Sequence, residues 1–279
     1  MITLSHFQAK PILKAMATKQ QQVESTLDLG LSTAVTPITP STLTLPDGQT
    51  LTKTHLEEIC DNELACYTVQ DNEIEKIQFF SDALNRYYSL MPTESAPTML
   101  ISGFSMHRIK GTNPHKDTLE KIKAIKPVIG RVLDTTMGLG YTAVNAAKTA
   151  EHVTTIELDP TVTEICRANP WSQGLFDNPK ITRLIGDSFD VIETFENASF
   201  SRILHDPPMF KLAGHLYSTD FYRELFRVLK PKGRLFHYIG NPKSKSGSIV
   251  TRGAIRRLQD AGFRRIKPWP QAFGVVAYK

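Results

Sequence analysis

Through the last two thirds of the chain, short apolar, β-branched runs alternate with stretches of helix-forming composition, and four of the runs end in an acid. Ile129 to Leu133 suits a buried parallel strand and closes on Asp134, and Val153 to Ile156 closes on Glu157-Leu158-Asp159-Pro160. Ile181 to Ile185 leads into Gly186-Asp187, and Phe200 to Leu204 into His205-Asp206-Pro207-Pro208. Tyr141 to Lys148 and Thr161 to Ala168 read as helices, the second with Pro160 at its start. Further on, Thr219 to Leu229 is an amphipathic helix stopped by Lys230-Pro231-Lys232-Gly233, and Arg234 to Ile239 is a fifth strand. Ser248 to Ala261 suits a helix, and Phe263 to Ile266 with Gly274 to Tyr278 suits a closing pair of strands. This order predicts an α/β, doubly wound, mostly parallel sheet of seven strands.

The N-terminal third reads differently. Residues 1–22 are polar with little pattern, which predicts a flexible or loosely docked segment. Residues 23–100 predict a small mixed α+β domain: Leu43 to Leu45 and Gln49 to Leu51 flank the turn Pro46-Asp47-Gly48, and Lys53 to Cys60 is a helix capped by Thr52 or Thr54. Leu64 to Val69 and Ile74 to Phe80 form a second hairpin around Gln70-Asp71-Asn72-Glu73. The boundary falls near Pro92 to Pro97, leaving 101–279 as the larger domain. Just before the first strand, Ile101 to Thr118 reads as a lid or wall, followed by a helix from Thr118 to Ile125. His107, Asp117 and Thr118 could approach a ligand from there or serve as scaffold.

Composition narrows the class. The 279 residues, 41% apolar, suffice for a sizeable core, and no apolar run reaches membrane-spanning length. A cytoplasmic enzyme without a membrane partner is expected. Cys60, Cys66 and Cys166 have no ligand-like spacing, which predicts buried thiols with neither disulfide nor metal. Charge is uneven: residues 1–100 hold 6 Lys/Arg against 12 Asp/Glu, and residues 101–279 hold 27 against 16. The richest basic segment, Lys243 to Lys267, could track phosphates of a nucleic acid or form a solvated helix face.

The chemistry gathers at the strand ends. After Asp134, Gly138 and Gly140 let backbone approach a ligand, and Glu157 follows about 20 residues beyond the loop, where a carboxylate can accept both hydroxyls of a ribose. Ligands of open α/β sheets bind outside the carboxyl ends of the strands, so Asp134, Glu157, Asp187 and Asp206 should converge on one crevice. Pro207 and Pro208 would hold Asp206 in a fixed turn, where it could accept a hydrogen bond from an amine. His205, His215, Tyr217, His237 and Tyr238 are further polar candidates near the strand ends. Gly138-x-Gly140-x-x-Ala143 with Glu157 also fits a dinucleotide fingerprint, so an NAD-dependent oxidoreductase remains open. A non-catalytic RNA-binding module is a further alternative, from the basic segment.

From Asp117 to Lys279 the sequence resembles the class I S-adenosylmethionine-dependent methyltransferases. It is most similar to a prokaryotic group of predicted methyltransferases, seen mostly in archaea, that is labelled spermidine-synthase-like. The resemblance rests on Asp134 with Gly138 and Gly140, then Glu157, Asp187 and Asp206-Pro207-Pro208; Thr136 stands where the family's first loop glycine is usual. It implies a Rossmann-like fold and S-adenosylmethionine as cofactor, bound by Asp134, Thr135, Thr136, Gly138, Gly140, Thr142, Glu157, Leu158, Asp187 and Ser188. It further implies catalysis by Asp206, Pro207 and Pro208, with His107, Phe210, Tyr217 and His237 on the substrate side. The expected activity is methyl transfer to a nitrogen of an RNA base or a small amine. Polyamine aminopropyltransferases share this fold, and Leu216-Tyr217 and Phe221-Tyr222 fit their pattern. Those enzymes place a proton-accepting aspartate three residues before the Asp of Asp-Pro, where this chain has Ile203.

Overall fold

The structure is a computed structural model that describes residues 1–210, 212–241 and 245–279. It divides into two compact units, Met1–His115 with Thr161–Gln173, and Lys116–Pro160 with Gly174–Lys279.

In the first unit, residues 1–22 are not loosely held. Thr3–Leu4 pairs with Tyr67–Gln70, and the helix His6–Ala17 starts at a capping box in which Ser5 accepts from the Phe7 amide while Gln8 reaches back to the Ser5 amide. Polar residues conceal an apolar stripe, Ala9, Ile12, Ala15 and Met16, which packs on Leu4, Leu43, Leu51, Leu56 and Ile59. The expected hairpin around Pro46-Asp47-Gly48 is present as Thr42–Thr44 against Thr50–Thr52, and Thr52 caps the helix Lys53–Asp61. The second hairpin pairs Tyr67–Gln70 with Glu73–Lys76. Residues 92–97, expected to be a linker, instead connect two paired strands, Arg86–Met91 and Thr98–Ile101, inside a four-stranded sheet. The prolines there close a turn within one sheet, so this unit runs on to His115. Cys66 and Cys166 are buried and Cys60 is half-buried, with none in a disulfide.

The second unit is the expected α/β fold. Its strands are β1 (Arg131–Asp134), β2 (His152–Glu157), β3 (Ile181–Ile185), β4 (Phe200–His205), β5 (Leu229–Tyr238), β6 (Arg264–Trp269) and β7 (Gly274–Tyr278). Their order is β3-β2-β1-β4-β5-β7-β6, the first five parallel and β7 antiparallel to both its neighbours. Helix α1 (Pro114–Ala124) precedes β1, and α2 (Tyr141–Ala147), α3 (Ser188–Val191), α4 (Thr219–Val228) and α5 (Lys245–Asp260) follow β1, β3, β4 and β5. Leu133, Ile156, Phe200, Ile203, Leu235 and Phe221 are wholly buried in the core beside the sheet. Order reverses between β1 and β4, so the loops after these strands diverge and leave a crevice at their carboxyl ends. Of the basic segment, Lys243 lies outside the described residues. Among the described residues, no helix is long and apolar enough to cross a membrane.

Candidate active site

Every strand-end acid singled out by the sequence lies in the second unit. Asp134 ends β1 with no exposure at all, because apolar neighbours on the same strand carry it into the core. Its Oδ2 accepts from the hydroxyls of Thr142 on α2, at 2.9 Å, and Thr155 on β2, at 3.1 Å. Its Oδ1 is buried with no hydrogen-bond partner among the described residues. Burial pushes this carboxyl up to about 7, against the pull of the two hydroxyls.

The loop that follows is tied across to β4. Thr135 donates its hydroxyl to His205 Nδ1 at 2.7 Å, and Thr136 donates its own to the Asp206 carbonyl at 2.8 Å. Thr136 therefore needs no glycine-like backbone: it is absent from the positive-φ residues, and its hydroxyl fastens the two loops that flank the crevice. Positive φ falls at Gly138 and Gly140 instead, and a Cβ on Gly140 would come within 2.2 Å of Leu175. The Gly138 amide donates to Glu157 Oε2 at 2.9 Å, and the Asp159 amide donates to Oε1 at 3.2 Å. Burial raises Glu157 to about 7 although these amides favour its charged form. Leu158 beside it is exposed.

Asp187 caps α3 by accepting from the Phe189 amide and faces His215, whose Nε2 is 3.1 Å from Oδ2. Ser188 donates its hydroxyl to the Thr135 carbonyl. These contacts hold the β3 loop against the β1 loop.

Asp206 has a charged partner. Its Oδ2 lies 2.6 Å from Lys121 Nζ, which is also 2.8 Å from Asp117 Oδ2, one turn earlier on α1. Lys121 and Asp117 are buried, whereas the Asp206 side chain is 22% exposed and so reaches the open side of the cluster. Burial alone would lower Lys121, but Asp206 and Asp117 outweigh it and hold the ammonium above its ordinary range. Burial raises the Asp206 carboxyl, and Lys121 limits the rise.

Behind Asp206 lies a neutral network. His205 Nε2 donates to the Leu216 carbonyl at 2.9 Å, leaving Nδ1 to accept from Thr135, and burial holds the ring down to about 3. His237 donates from Nδ1 to the His205 carbonyl and accepts from Tyr222 at 2.7 Å, and burial puts it well below the ordinary histidine range. Tyr217 donates to the Pro208 carbonyl at 3.0 Å and is itself buried. Two substrate-side candidates, Tyr217 and His237, thus brace the Asp206-Pro207-Pro208 turn from beneath. Phe210 is exposed, edge-on to Tyr217. His107 lies in the first unit, where its ring and its amide both meet the Thr98 hydroxyl. The residue that sequence reasoning missed is Lys121; the signal was an Asp117-x-x-x-Lys121 pair on the helix entering β1.

Comparison with known proteins bears on what this site does. Residues 132–252 match the model of the spermine/spermidine synthase domain. The uncharacterized protein MJ1233 of Methanocaldococcus jannaschii is 47% identical over 226 residues, 80% of this chain and 77% of that protein. The polyamine aminopropyltransferase of Sulfolobus acidocaldarius is 29% identical over 100 residues, so the chain spans only 33% of its length. A spermidine synthase from Thermotoga maritima has the same fold, with a TM-score of 0.57 at 18% identity over 75% of each chain. The domain match and the aminopropyltransferase relatives overturn two expectations, methyl transfer as the reaction and S-adenosylmethionine as its donor. The two reactions share a nucleoside handle, which is why the strand-end acids alone did not separate them. The chain belongs to the protein family that includes the Methanocaldococcus jannaschii protein, with a spermine/spermidine-synthase-like domain over residues 132–252.

Proposed function

We propose that the protein is an aminopropyltransferase that moves the aminopropyl group of decarboxylated S-adenosylmethionine to a small amine of the polyamine class. The observation that carries this reading is the charge of the crevice. Asp134, Glu157, Asp187 and Asp206 stand at the strand ends, and Lys121 is shared between two carboxylates, Asp117 and Asp206, so the acids outnumber it. The decarboxylated donor carries a sulfonium and an ammonium and lacks the carboxylate of S-adenosylmethionine, so an acidic pocket favours it. A polyamine acceptor is cationic as well.

In this reading Gly138 and Gly140 let the loop lie close to the nucleoside, Glu157 takes the ribose hydroxyls, and the buried, unsatisfied Oδ1 of Asp134 is an acceptor for the donor's cationic tail. The acceptor nitrogen attacks the propyl carbon next to sulfur, and the carbon–sulfur bond breaks as the carbon–nitrogen bond forms. Sulfur already carries the positive charge, so the protein's work is alignment and removal of a proton. Asp206, on the turn fixed by Thr136, Tyr217 and the two prolines, is placed to receive that proton.

Isothermal titration with the two donors tests the reading. The decarboxylated compound is expected to bind at least about tenfold more tightly, the equivalent of one charge–charge contact of ~1.4 kcal/mol. Equal or tighter binding of S-adenosylmethionine would contradict it.

A further inference from the structure

A neutral acceptor nitrogen is the nucleophile in aminopropyl transfer, so some group must hold a proton that the amine sheds. Few groups at this crevice qualify. His205 and His237 are wholly buried, each ring nitrogen is committed, and both stay neutral far below their ordinary range. Tyr217 donates to a carbonyl and is buried. Asp134 has no exposure, and position 203, three residues before the Asp of the Asp-Pro, is a core isoleucine. Glu157 and Asp187 end β2 and β3, on the far side of β1 from the Asp-Pro turn, and His215 is held at Asp187. On the β4 side Asp206 is left, with its Oδ2 held by Lys121.

Lys121 is an expensive residue to keep there. A lysine with a 4% exposed side chain loses nearly all its hydration and is tolerated only with paired charges. Two carboxylates surround it, and the Tyr238 ring stands 5.3 Å from the ammonium. Asp117 sits one helical turn before Lys121 on α1, so the helix itself orients the ammonium toward β4.

We propose that Lys121 is the positioning residue of this reaction: clamped by Asp117, it fixes Asp206 so that Oδ1 alone faces the acceptor nitrogen and takes its proton. The inference rests on the aminopropyltransferase reading. The step balances as follows. The nitrogen lone pair forms the new bond to carbon, the carbon–sulfur electron pair stays on sulfur to give a neutral thioether, and the nitrogen's proton passes to Oδ1 and then to water.

Lys121 and Asp117 act on the Asp206 carboxyl in opposite directions. Without the lysine charge, the Asp206 carboxyl rises; without the Asp117 charge, which raises it, the carboxyl falls. The test is the pH profile of kcat/KM for aminopropyl transfer in wild type, Lys121→Met, Lys121→Arg and Asp117→Asn. Lys121→Met should move the acid limb up by about one pH unit and lower kcat at neutral pH about tenfold or more, with donor affinity unchanged. Lys121→Arg should restore the limb, and Asp117→Asn should move it down. Limbs that stay in place, or that move together, overturn the inference while wild-type activity upholds the reading. Should Lys121→Met not fold, Asp117→Asn keeps a one-to-one ion pair and decides by the direction of its shift. Should wild type transfer no aminopropyl group, the reading fails. Carbon-13 NMR titration of Asp206 then tests the hold of Lys121 on that carboxyl by itself: its absence must raise the carboxyl, and no change overturns the clamp.

Discussion

Two pairs of acids face the same crevice and are kept there by opposite means. Asp134 and Glu157, on the glycine-loop side, are held by neutral donors: two threonine hydroxyls and two backbone amides. Asp117 and Asp206, on the β4 side, share a buried ammonium. Neutral hydrogen bonds do not offset burial, so the first pair titrates near 7 and is ready to gain charge when a cation arrives. In the second pair the ammonium sits between the carboxylates and limits the rise that burial gives Asp206. One side is suited to bind a cationic donor, and the other to hold and aim a proton acceptor.

The largest effect should come from Asp206→Asn, which keeps the shape of the turn and removes the proton acceptor. On the order of 10²-fold or more should be lost from kcat, with donor affinity changed little, as steady-state rates beside calorimetry would report. A matching loss of donor affinity would erase the distinction between the two sides. Glu157→Gln should do the reverse, weakening the donor by about ten- to a hundredfold while kcat at saturation holds, because charged hydrogen bonds contribute roughly 1.5–3 kcal/mol.

Smaller still is a pH effect specific to the first pair. In the folded, ligand-free chain these carboxyls titrate near 7, against about 4 in an unfolded chain, so between those values the folded form binds more protons. Stability contributed by them is therefore full at low pH and falls as pH rises toward 7. Donor binding runs the other way, tightening up to about 7 and then levelling off. Asp134→Asn should flatten both trends, as melting curves and titrations across pH would show. Smallest is Thr136→Val, which removes the hydroxyl that ties the β1 loop to Asp206 and should cost ~1 kcal/mol, a shift of a few degrees in Tm. Thr136→Ser should behave as wild type.

The same contrast explains what could be read from the sequence. Asp134, Glu157, Asp187 and Asp206 were legible because each ends an apolar run, and a parallel sheet puts such ends on one side. Lys121 was not, because an acid and a lysine four residues apart on a helix usually mean a solvated pair, and only packing against β4 buries this one. Thr136 was a puzzle for a similar reason: its partner is a carbonyl 70 residues away. His205 and His237 looked like open polar candidates, but their strand positions turn both rings into the core. In the first unit the pairing of Arg86–Met91 with Thr98–Ile101 escaped notice because neither strand is long, and two prolines between them imitate a linker.

The most direct test of the central claim is mass spectrometry of the products formed from an equimolar mixture of S-adenosylmethionine and its decarboxylated analogue with a set of short diamines and triamines. The account predicts an amine lengthened by one aminopropyl group and an equivalent of methylthioadenosine, both lost in Asp206→Asn. A methylated amine with S-adenosylhomocysteine, and no aminopropyl product, would contradict it.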